Sequence, residues 1–258
     1  YRKMFRQAFG DLDPNLGNAW RAIATFERAV LVQRNTPLDR YLKGEKSALS
    51  RKAIRGLRLF TGKANCIECH NGPMLTDEKY YNLGVPRAAE WLESGLHQIT
   101  YRFENYAKGV REAMYRKFKD DAGLYYTTKS KQDMGKFRTS ALRYLKFTPP
   151  YMHNGTFFTL EEVIDFYDQG GGKNEFTDGA HGVRSKTPIL KPLKLTDAEK
   201  EALVAFLEEI SGEEINIGPV EAPPYEAFPD VNTLSQKDAK RIGLEDFLAG
   251  RNGRVAER

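Results

Sequence analysis

Two cysteines and a histidine stand close together and form the clearest chemical motif of the chain. Residues 65–72 read NCIECHNG, so Cys66, Cys69 and His70 follow the pattern C-x-x-C-H. In this pattern two thiols add across the vinyl groups of a haem, and the imidazole that follows binds the iron. The sequence therefore predicts covalently bound haem c, with His70 as one axial ligand of the iron.

Other uses of this cysteine pair fit less well. The chain has 258 residues and only these two cysteines, so a structural zinc site would lack its second pair of ligands. A thioredoxin-like motif would need a preceding strand within a βαβ unit, and no such pattern surrounds the motif. Haem attachment of this kind implies export across a membrane, and we expect a periplasmic location.

Charge and hydropathy limit the classes of partner. The formal net charge is +5 and the sequence pI is about 9.0, but the basic residues are spread along the chain without a nucleic-acid-binding signature. No apolar run reaches the roughly 18 residues needed to cross a bilayer. The first residue is Tyr1 rather than Met, so we expect a processed chain or a piece of a longer one. The sequence therefore predicts neither a nucleic-acid partner nor a membrane span.

The elements that must position the motif are helices. Apolar residues recur every three or four positions, which is the helical period, and no strong alternation of the strand type accompanies them. The predicted helices cover residues 17–34, 50–60, 97–118, 159–170 and 196–212. After residue 216 the chain becomes rich in Pro and polar residues. We expect an all-α fold, namely a cytochrome c-like haem domain with a helical extension and a Pro-rich C-terminal tail packed on the surface.

Two of these helices have a defined start. Thr159 is followed three residues later by Glu162, and Thr196 is followed by Glu199. A threonine with an acidic residue at this spacing forms a capping box, in which each side chain bonds the backbone N–H of the other residue. The capping boxes predict helix starts at these two threonines.

The sixth iron ligand decides what such a haem does, and spacing leaves several candidates. Met134 and Met152 lie downstream of the motif as the methionine of a small cytochrome does, and His153 adjoins Met152. Met74 is too near the motif to cross the haem. Tyr167 is the less obvious candidate. A methionine ligand favours electron transfer at high potential, whereas a phenolate stabilises ferric iron.

Tyr167 stands on an apolar helix face. Leu160, Val163, Ile164 and Tyr167 follow the spacing i, i+3, i+4, i+7 from the cap at Thr159, so they share one buried face. A tyrosine in such a place is commonly a core residue with its hydroxyl at the rim. Periodicity leaves both roles open.

Several stretches carry a resemblance to a known family. They are residues 59–86 (LFTGKANCIECHNGPMLTDEKYYNLGVP), 135–171 (GKFRTSALRYLKFTPPYMHNGTFFTLEEVIDFYDQGG), 193–212 (LKLTDAEKEALVAFLEEISG) and the opening residues 8–44. Over most of residues 1–212 the chain resembles the bacterial dihaem cytochrome c peroxidases and their MauG-like relatives. The resemblance implies a tyrosine ligand at Tyr167, where peroxidases of the family have a methionine.

The resemblance also implies further site residues. The family places a calcium ion between its two haems, and the backbone carbonyls of Thr148 and Pro150 correspond to part of its ligand set; carbonyl oxygens suit that cation. Arg138, Arg143 and His153 are candidate partners of the haem propionates, since a guanidinium matches a carboxylate as a two-pronged donor. The sequence alone does not distinguish such a role for Arg138 and Arg143 from that of ordinary surface arginines.

The chain departs from the family in carrying one C-x-x-C-H motif where full members have two. The resemblance then implies a helical lead-in at 1–48 that joins an N-terminal haem domain outside this chain. A c-type haem domain at 49–215 and a tail at 216–258 follow it. Residues 87–133 are rich in tyrosine and suit either packing or hole-hopping relays; these tyrosines are Tyr101, Tyr106, Tyr115, Tyr125 and Tyr126.

Three functions follow as expectations. The first is the low-spin haem half of a MauG-like dihaem peroxidase or oxidase. It would pass oxidising equivalents from a peroxide-reactive haem towards a protein or a small redox substrate. The second is the His/Met haem domain of a cytochrome c peroxidase. The third is a monohaem c-type electron carrier.

Overall fold

The computed structural model describes residues 2–10, 15–88, 95, 99, 103, 105–116, 118, 120–177, 179 and 186–218. By its internal contacts the chain divides into two units, one made of Tyr1–Ala24 with Asn216–Arg258 and the other of Thr25–Ile215. Part of the predicted helix at 97–118, including Tyr101 and the side chain of Tyr115, and the tail beyond residue 218 lie outside the described residues. The prediction of one continuous helix there is wrong in its described part, because the chain turns at Gly109, where φ is 69°, before the short helix Glu112–Tyr115. The boundaries 1–48, 49–215 and 216–258 stay predictions.

The opening of the chain is helical. Helix α1 spans Arg2–Phe9 and α2 spans Leu16–Phe26, and a turn of π-helix at Glu27–Leu31 follows α2. The predicted stripe on α2 is exposed, because Trp20 and Ile23 keep 69% and 57% of their surface accessible. The predicted helix at 17–34 is therefore found through Leu31, with its apolar side outward.

Two crossed helices form the centre of the second unit. Helix α4 (Arg51–Thr61) leads into the cysteine motif, and α8 (Asp197–Glu209) packs across it. At Gly56 an added Cβ would lie 2.0 Å from the carbonyl oxygen of Ala202. The absence of a side chain at Gly56 therefore lets the two backbones approach. Phe60 and Phe206 meet beside this crossing, with ring centroids 5.2 Å apart.

The remaining elements of this unit are short. Helices α3, α5, α6 and α7 span Pro37–Leu42, Glu112–Tyr115, Tyr125–Thr128 and Leu160–Asp168, and 3₁₀ turns cover Lys46–Ala48, Cys66–Glu68, Lys131–Asp133 and Leu145–Phe147. Strands β1 (Tyr80–Tyr81) and β2 (Phe137–Arg138) pair antiparallel, with Tyr80 opposite Arg138. The helix-rich character that the sequence predicts is confirmed, and the two-residue strands are an addition too short to show alternation.

Both predicted capping boxes are present. Glu162 N–H donates to the Thr159 hydroxyl at 3.2 Å, while the Glu162 carboxylate accepts from Thr159 N–H at 3.0 Å. Thr196 and Glu199 make the same reciprocal pair at the start of α8. These bonds satisfy N–H groups that the first turn of a helix leaves without partners.

A second, smaller core holds part of the tyrosine-rich segment. Its buried members are Val110, Phe118, Ala122, Tyr125, Met134 and Phe176, and Tyr126 packs against them. Tyr125 and Tyr126 are thus packing residues, while Tyr106 is 67% exposed. Among the described residues, no helix is both long enough and apolar enough to cross a membrane.

Candidate haem site

A cavity of about 380 Å³ lies in the second unit and brings together the cysteine motif and α7. The cysteine motif contributes Cys66, Cys69 and His70 to the cavity wall, and α7 contributes Tyr167. Much of the remaining wall is aliphatic, including Leu160, Val163, Ile164, Leu203 and Leu207. Largely apolar cavities with a few convergent polar groups are typical binding sites for cofactors.

The cysteines are free thiols held by a 3₁₀ turn at Cys66–Glu68. Asn65 enters this turn in the left-handed conformation, with φ of 52°, and His70 N–H donates to the Cys66 carbonyl at 2.9 Å. Burial raises the pKa of Cys66 to about 12 and also raises the pKa of Cys69. Both side chains are therefore protonated thiols at neutral pH, available for addition to vinyl groups.

The imidazole of His70 is oriented by its own backbone loop. Its Nδ1 lies 3.0 Å from the carbonyl oxygen of Leu75, so a proton on Nδ1 is donated there and Nε2 remains the acceptor nitrogen. Burial lowers the pKa of His70, which keeps the ring neutral. A neutral imidazole whose second nitrogen donates to a carbonyl is the usual state of an iron-binding histidine.

Tyr167 reaches the cavity from the apolar face that the sequence indicates. Within the described residues its hydroxyl has no hydrogen-bond partner in the protein, although its ring packs edge-on against Phe166 at 5.4 Å. Burial raises the pKa of Tyr167, and the nearby sulfurs of Cys66 and Cys69 add to this effect. A bound metal cation reverses such an effect by favouring the anionic form. The Tyr167 phenol therefore faces the cavity in a position where it could bind a metal ion.

The methionine candidates separate by position. Met152 lines the cavity, whereas Met134 is fully buried in the smaller core and contributes nothing to the cavity wall. Met74 is 37% exposed and lies outside the cavity wall. Geometry therefore leaves Tyr167, Met152 and His153 as the candidates that share a cavity with His70.

The two candidate arginines have different surroundings. Arg138, on β2, lines the cavity, and its guanidinium has no hydrogen bond or ion pair among the described residues. Arg143 lies outside the cavity wall and donates two hydrogen bonds to Asp39, at 2.9 and 2.7 Å, and one to the Pro73 carbonyl. The hydrogen bond from Arg143 lowers the pKa of Asp39 to about 2. The structure thus places Arg138 at the cavity, whereas the hydrogen bonds of Arg143 hold α3 against the loop at Pro73.

His153 and the Thr148–Pro150 turn complete the predicted set. The His153 ring lines the cavity and stacks on Phe137, with centroids 3.5 Å apart, and burial lowers its pKa to about 4. The carbonyls of Thr148 and Pro150 accept no backbone hydrogen bond within the described ranges. Two carbonyls supply only part of the 6–8 oxygens that calcium takes, and these ranges hold no cluster of three acidic, His or Cys side chains.

Tyr81 is a cavity residue that the sequence patterns did not indicate. Tyr81 lines the cavity from β1, and its hydroxyl donates to Asp77 at 2.6 Å. That hydrogen bond, together with burial, raises the pKa of Tyr81. In the sequence Tyr81 is one of two adjacent tyrosines in DEKYYNLG, and its place after the haem motif is the only local signal.

The donor set fits a haem. Two unpaired thiols, a neutral imidazole, an unpartnered phenol and an uncommitted guanidinium line one largely apolar cavity. Thiols attach the vinyl groups, the imidazole and a second side chain bind the iron, and a guanidinium matches a propionate.

Comparison with known proteins identifies the class. A family model described as di-haem cytochrome c peroxidase matches residues 1–47. Cytochrome-c peroxidase IdrP1 of Pseudomonas sp. (strain SCT) is 48% identical over 212 residues, which is 82% of this chain and 54% of the relative. The chain belongs to the dihaem cytochrome c peroxidase and MauG family, as its sequence predicts.

Two further relatives agree with this assignment. Methylamine utilization protein MauG of Methylorubrum extorquens is 33% identical over 83% of this chain and 50% of its own length. A crystal structure of a MauG-like protein associated with microbial copper homeostasis superposes with a TM-score of 0.59 at 28% identity, covering 83% of this chain and 59% of that one. The chain therefore spans about half the length of the curated relatives it matches.

Proposed function

We propose that this chain is the low-spin haem c half of a MauG-like dihaem peroxidase. It passes oxidising equivalents from a peroxide-reactive haem towards a protein or a small redox substrate. Three facts support the proposal: the chain belongs to a dihaem family, it spans about half of its curated relatives, and it carries one C-x-x-C-H motif. The peroxide-reactive haem then belongs to a partner domain or chain.

The observation that carries the proposal is the pairing of His70 with Tyr167 on one cavity. Haem bound there supplies a one-electron redox centre. A phenolate ligand favours the oxidised states of iron, whereas a thioether favours ferrous iron and a high potential. With His70 and Tyr167 both bound to the iron, a haem here would hold an oxidising equivalent rather than react with peroxide.

Other residues position and shield the cofactor. Cys66 and Cys69 would attach it, and the Arg138 guanidinium would face a propionate. The aliphatic wall from α7 and α8 excludes water, which strengthens these charge interactions. We place this haem domain at residues 49–215, with a cytochrome c-like fold, a lead-in at 1–48 and a Pro-rich tail at 216–258. Its location is the periplasm, since haem of this type is attached after export.

His153, Arg143 and calcium take subsidiary places. His153, neutral at pH 7 because burial lowers its pKa to about 4, would contact a propionate as a hydrogen-bond donor. A propionate contact for Arg143 would require release of Asp39, so we assign Arg138 the larger share. A calcium ion at the Thr148 and Pro150 carbonyls would draw its remaining ligands from water or from the partner haem domain.

Substitution of Tyr167 with phenylalanine tests the ligand. The haem-loaded wild-type chain should give the absorption and EPR spectrum of a six-coordinate low-spin ferric haem with a phenolate ligand. Tyr167→Phe should lose it while retaining covalent haem by mass. Met152→Leu and Met134→Leu are matched controls, one inside the cavity wall and one outside, and both should leave the spectrum unchanged.

Met152 supports a second candidate, the His/Met haem domain of a cytochrome c peroxidase, because Met152 lines the same cavity. A near-infrared charge-transfer band of a Met–iron bond, lost in Met152→Leu, would favour it and overturn the Tyr167 assignment. A single haem in the intact native protein, counted by mass, would instead indicate a monohaem carrier.

A further inference from the structure

Tyr81 is placed between the haem cavity and a carboxylate. It belongs to β1 and lines the cavity beside the cysteine motif. Its hydroxyl donates to Asp77 Oδ2 at 2.6 Å, and its side chain shares the cavity wall with Cys69. The phenol therefore contacts a proton acceptor while its side chain lines the cavity that would hold the haem.

Asp77 is held in place by the haem motif itself. Its backbone N–H donates to the Cys69 carbonyl at 2.8 Å, and its Oδ1 accepts from Lys79 N–H at 3.0 Å. The carboxylate keeps its second oxygen on the Tyr81 hydroxyl, and the residue is only partly buried. A proton received from Tyr81 therefore has a route to solvent.

The other tyrosines of the cavity wall lack such an acceptor. Tyr151 lines the cavity, but its hydroxyl donates to the backbone carbonyl of Leu145 at 3.3 Å. A carbonyl accepts a hydrogen bond without accepting the proton at neutral pH. Tyr167 has no protein partner and is the proposed iron ligand. Within the described part of the cavity wall, Tyr81 alone pairs a phenol with a carboxylate.

Resting on the proposed function, we propose that Tyr81 is a redox-active residue that is oxidised through proton-coupled electron transfer, with Asp77 as the proton acceptor. Tyr81 gives one electron to the haem after the peroxide-reactive centre has oxidised it. The phenolic O–H bond breaks as a carboxyl O–H bond forms on Asp77. The products are a neutral tyrosyl radical, a protonated Asp77 and a haem reduced by one electron.

The hydrogen bond makes this step favourable. A phenol that loses an electron becomes a strong acid, so retaining the proton would leave a positive charge in a partly buried place, which is costly. Because the bond to Asp77 already exists, the proton moves along it without rearrangement. Tyr81 thus becomes the first residue to receive an oxidising equivalent from a haem bound in this cavity.

Tyr81→Phe tests the proposal, with Tyr80→Phe and Tyr151→Phe as controls. Tyr80 is the preceding residue on the same strand and is 42% exposed, while Tyr151 shares the cavity wall. A ruthenium tris-bipyridine photo-oxidant with persulfate would oxidise the haem-loaded chain. Transient absorption would follow re-reduction of the haem, and EPR would record the tyrosyl radical.

In the wild type, radical formation should match haem re-reduction and slow in D₂O. Tyr81→Phe should lengthen the lifetime of the oxidised haem about tenfold or more, which corresponds to an added barrier of about 1.4 kcal/mol. The two control variants should behave as the wild type. Asp77→Asn keeps the shape but weakens proton acceptance, so it should also slow the step.

The proposal would be overturned if Tyr81→Phe left the lifetime of the oxidised haem unchanged. It would also be overturned if all three phenylalanine variants lengthened that lifetime equally. The ferric spectrum recorded beforehand separates the two levels of inference. Tyr167→Phe changes that spectrum when the proposed ligand is right, whereas Tyr81→Phe should leave it intact. Failure of the redox role of Tyr81 therefore stands apart from failure of the proposed function.

Discussion

Replacement of Gly56 with alanine should lower the free energy of unfolding of the second unit by about 2 kcal/mol. The new Cβ would lie 2.0 Å from the carbonyl oxygen and 2.7 Å from the carbonyl carbon of Ala202, and 2.7 Å from Phe206 Cβ. The first two are backbone atoms of α8, so no change of side-chain rotamer relieves the contact. The helices must separate where Phe60 and Phe206 pack.

The magnitude combines two opposing effects. Overpacking of a tight core costs about 1–3 kcal/mol, and the backbone contact places Gly56 at the upper end of that range. Alanine is favoured over glycine within a helix by about 1 kcal/mol. The net loss is therefore about 2 kcal/mol, the difference between about 3 and about 1.

Guanidinium unfolding followed by far-UV circular dichroism measures this loss as a lower midpoint with an unchanged m value. Arg55→Ala is the matched control, because Arg55 precedes Gly56 in α4 and is exposed; it should change stability by less than about 0.5 kcal/mol. If Gly56→Ala were as stable as the wild type, the close approach of α4 and α8 would be refuted.

Three other substitutions follow from the same contacts. Asp39→Asn should lower the free energy of unfolding by about 2 kcal/mol at pH 7. The bond from Arg143 lowers the Asp39 pKa from 3.8 to about 2, so the difference from wild type should shrink as pH falls from about 4 towards 2; a constant difference would contradict this. Arg138→Ala removes the positive charge that is proposed to face a propionate and should therefore lower the haem midpoint potential in spectroelectrochemistry; an unchanged potential would place that guanidinium elsewhere. Thr159→Ala should cost about 1 kcal/mol in denaturant unfolding, whereas Glu162→Gln, which keeps an acceptor, should cost less; equal losses would argue against the capping box.

Local signals carried much of this site. Cys66, Cys69 and His70 are adjacent in sequence, so their chemistry can be read without a fold. The starts of α7 and α8 follow from capping residues three positions apart, because a capping box closes within one turn. The helical period from the first cap likewise placed Tyr167 on the face that lines the cavity.

Contacts between distant segments decided the rest. Arg138 and Arg143 read alike in sequence, yet one lines the cavity and the other is bound to Asp39. Met134 fits the spacing of a small-cytochrome ligand but is buried in the smaller core. A side chain's partners depend on which distant segments pack beside it, and periodicity along one segment carries no record of that choice.

Tyr81 shows the same division most clearly. Its strand is two residues long, so no alternation indicates which of two adjacent tyrosines faces inward. Pairing of β1 with β2 directs Tyr81 to the cavity, and the turn that hydrogen-bonds Asp77 to Cys69 brings the carboxylate to its hydroxyl. The sequence by itself determined the haem motif and the helix that presents Tyr167. Only tertiary packing decided which tyrosine meets a proton acceptor at the cavity, because that choice depends on the pairing of β1 with the distant strand β2.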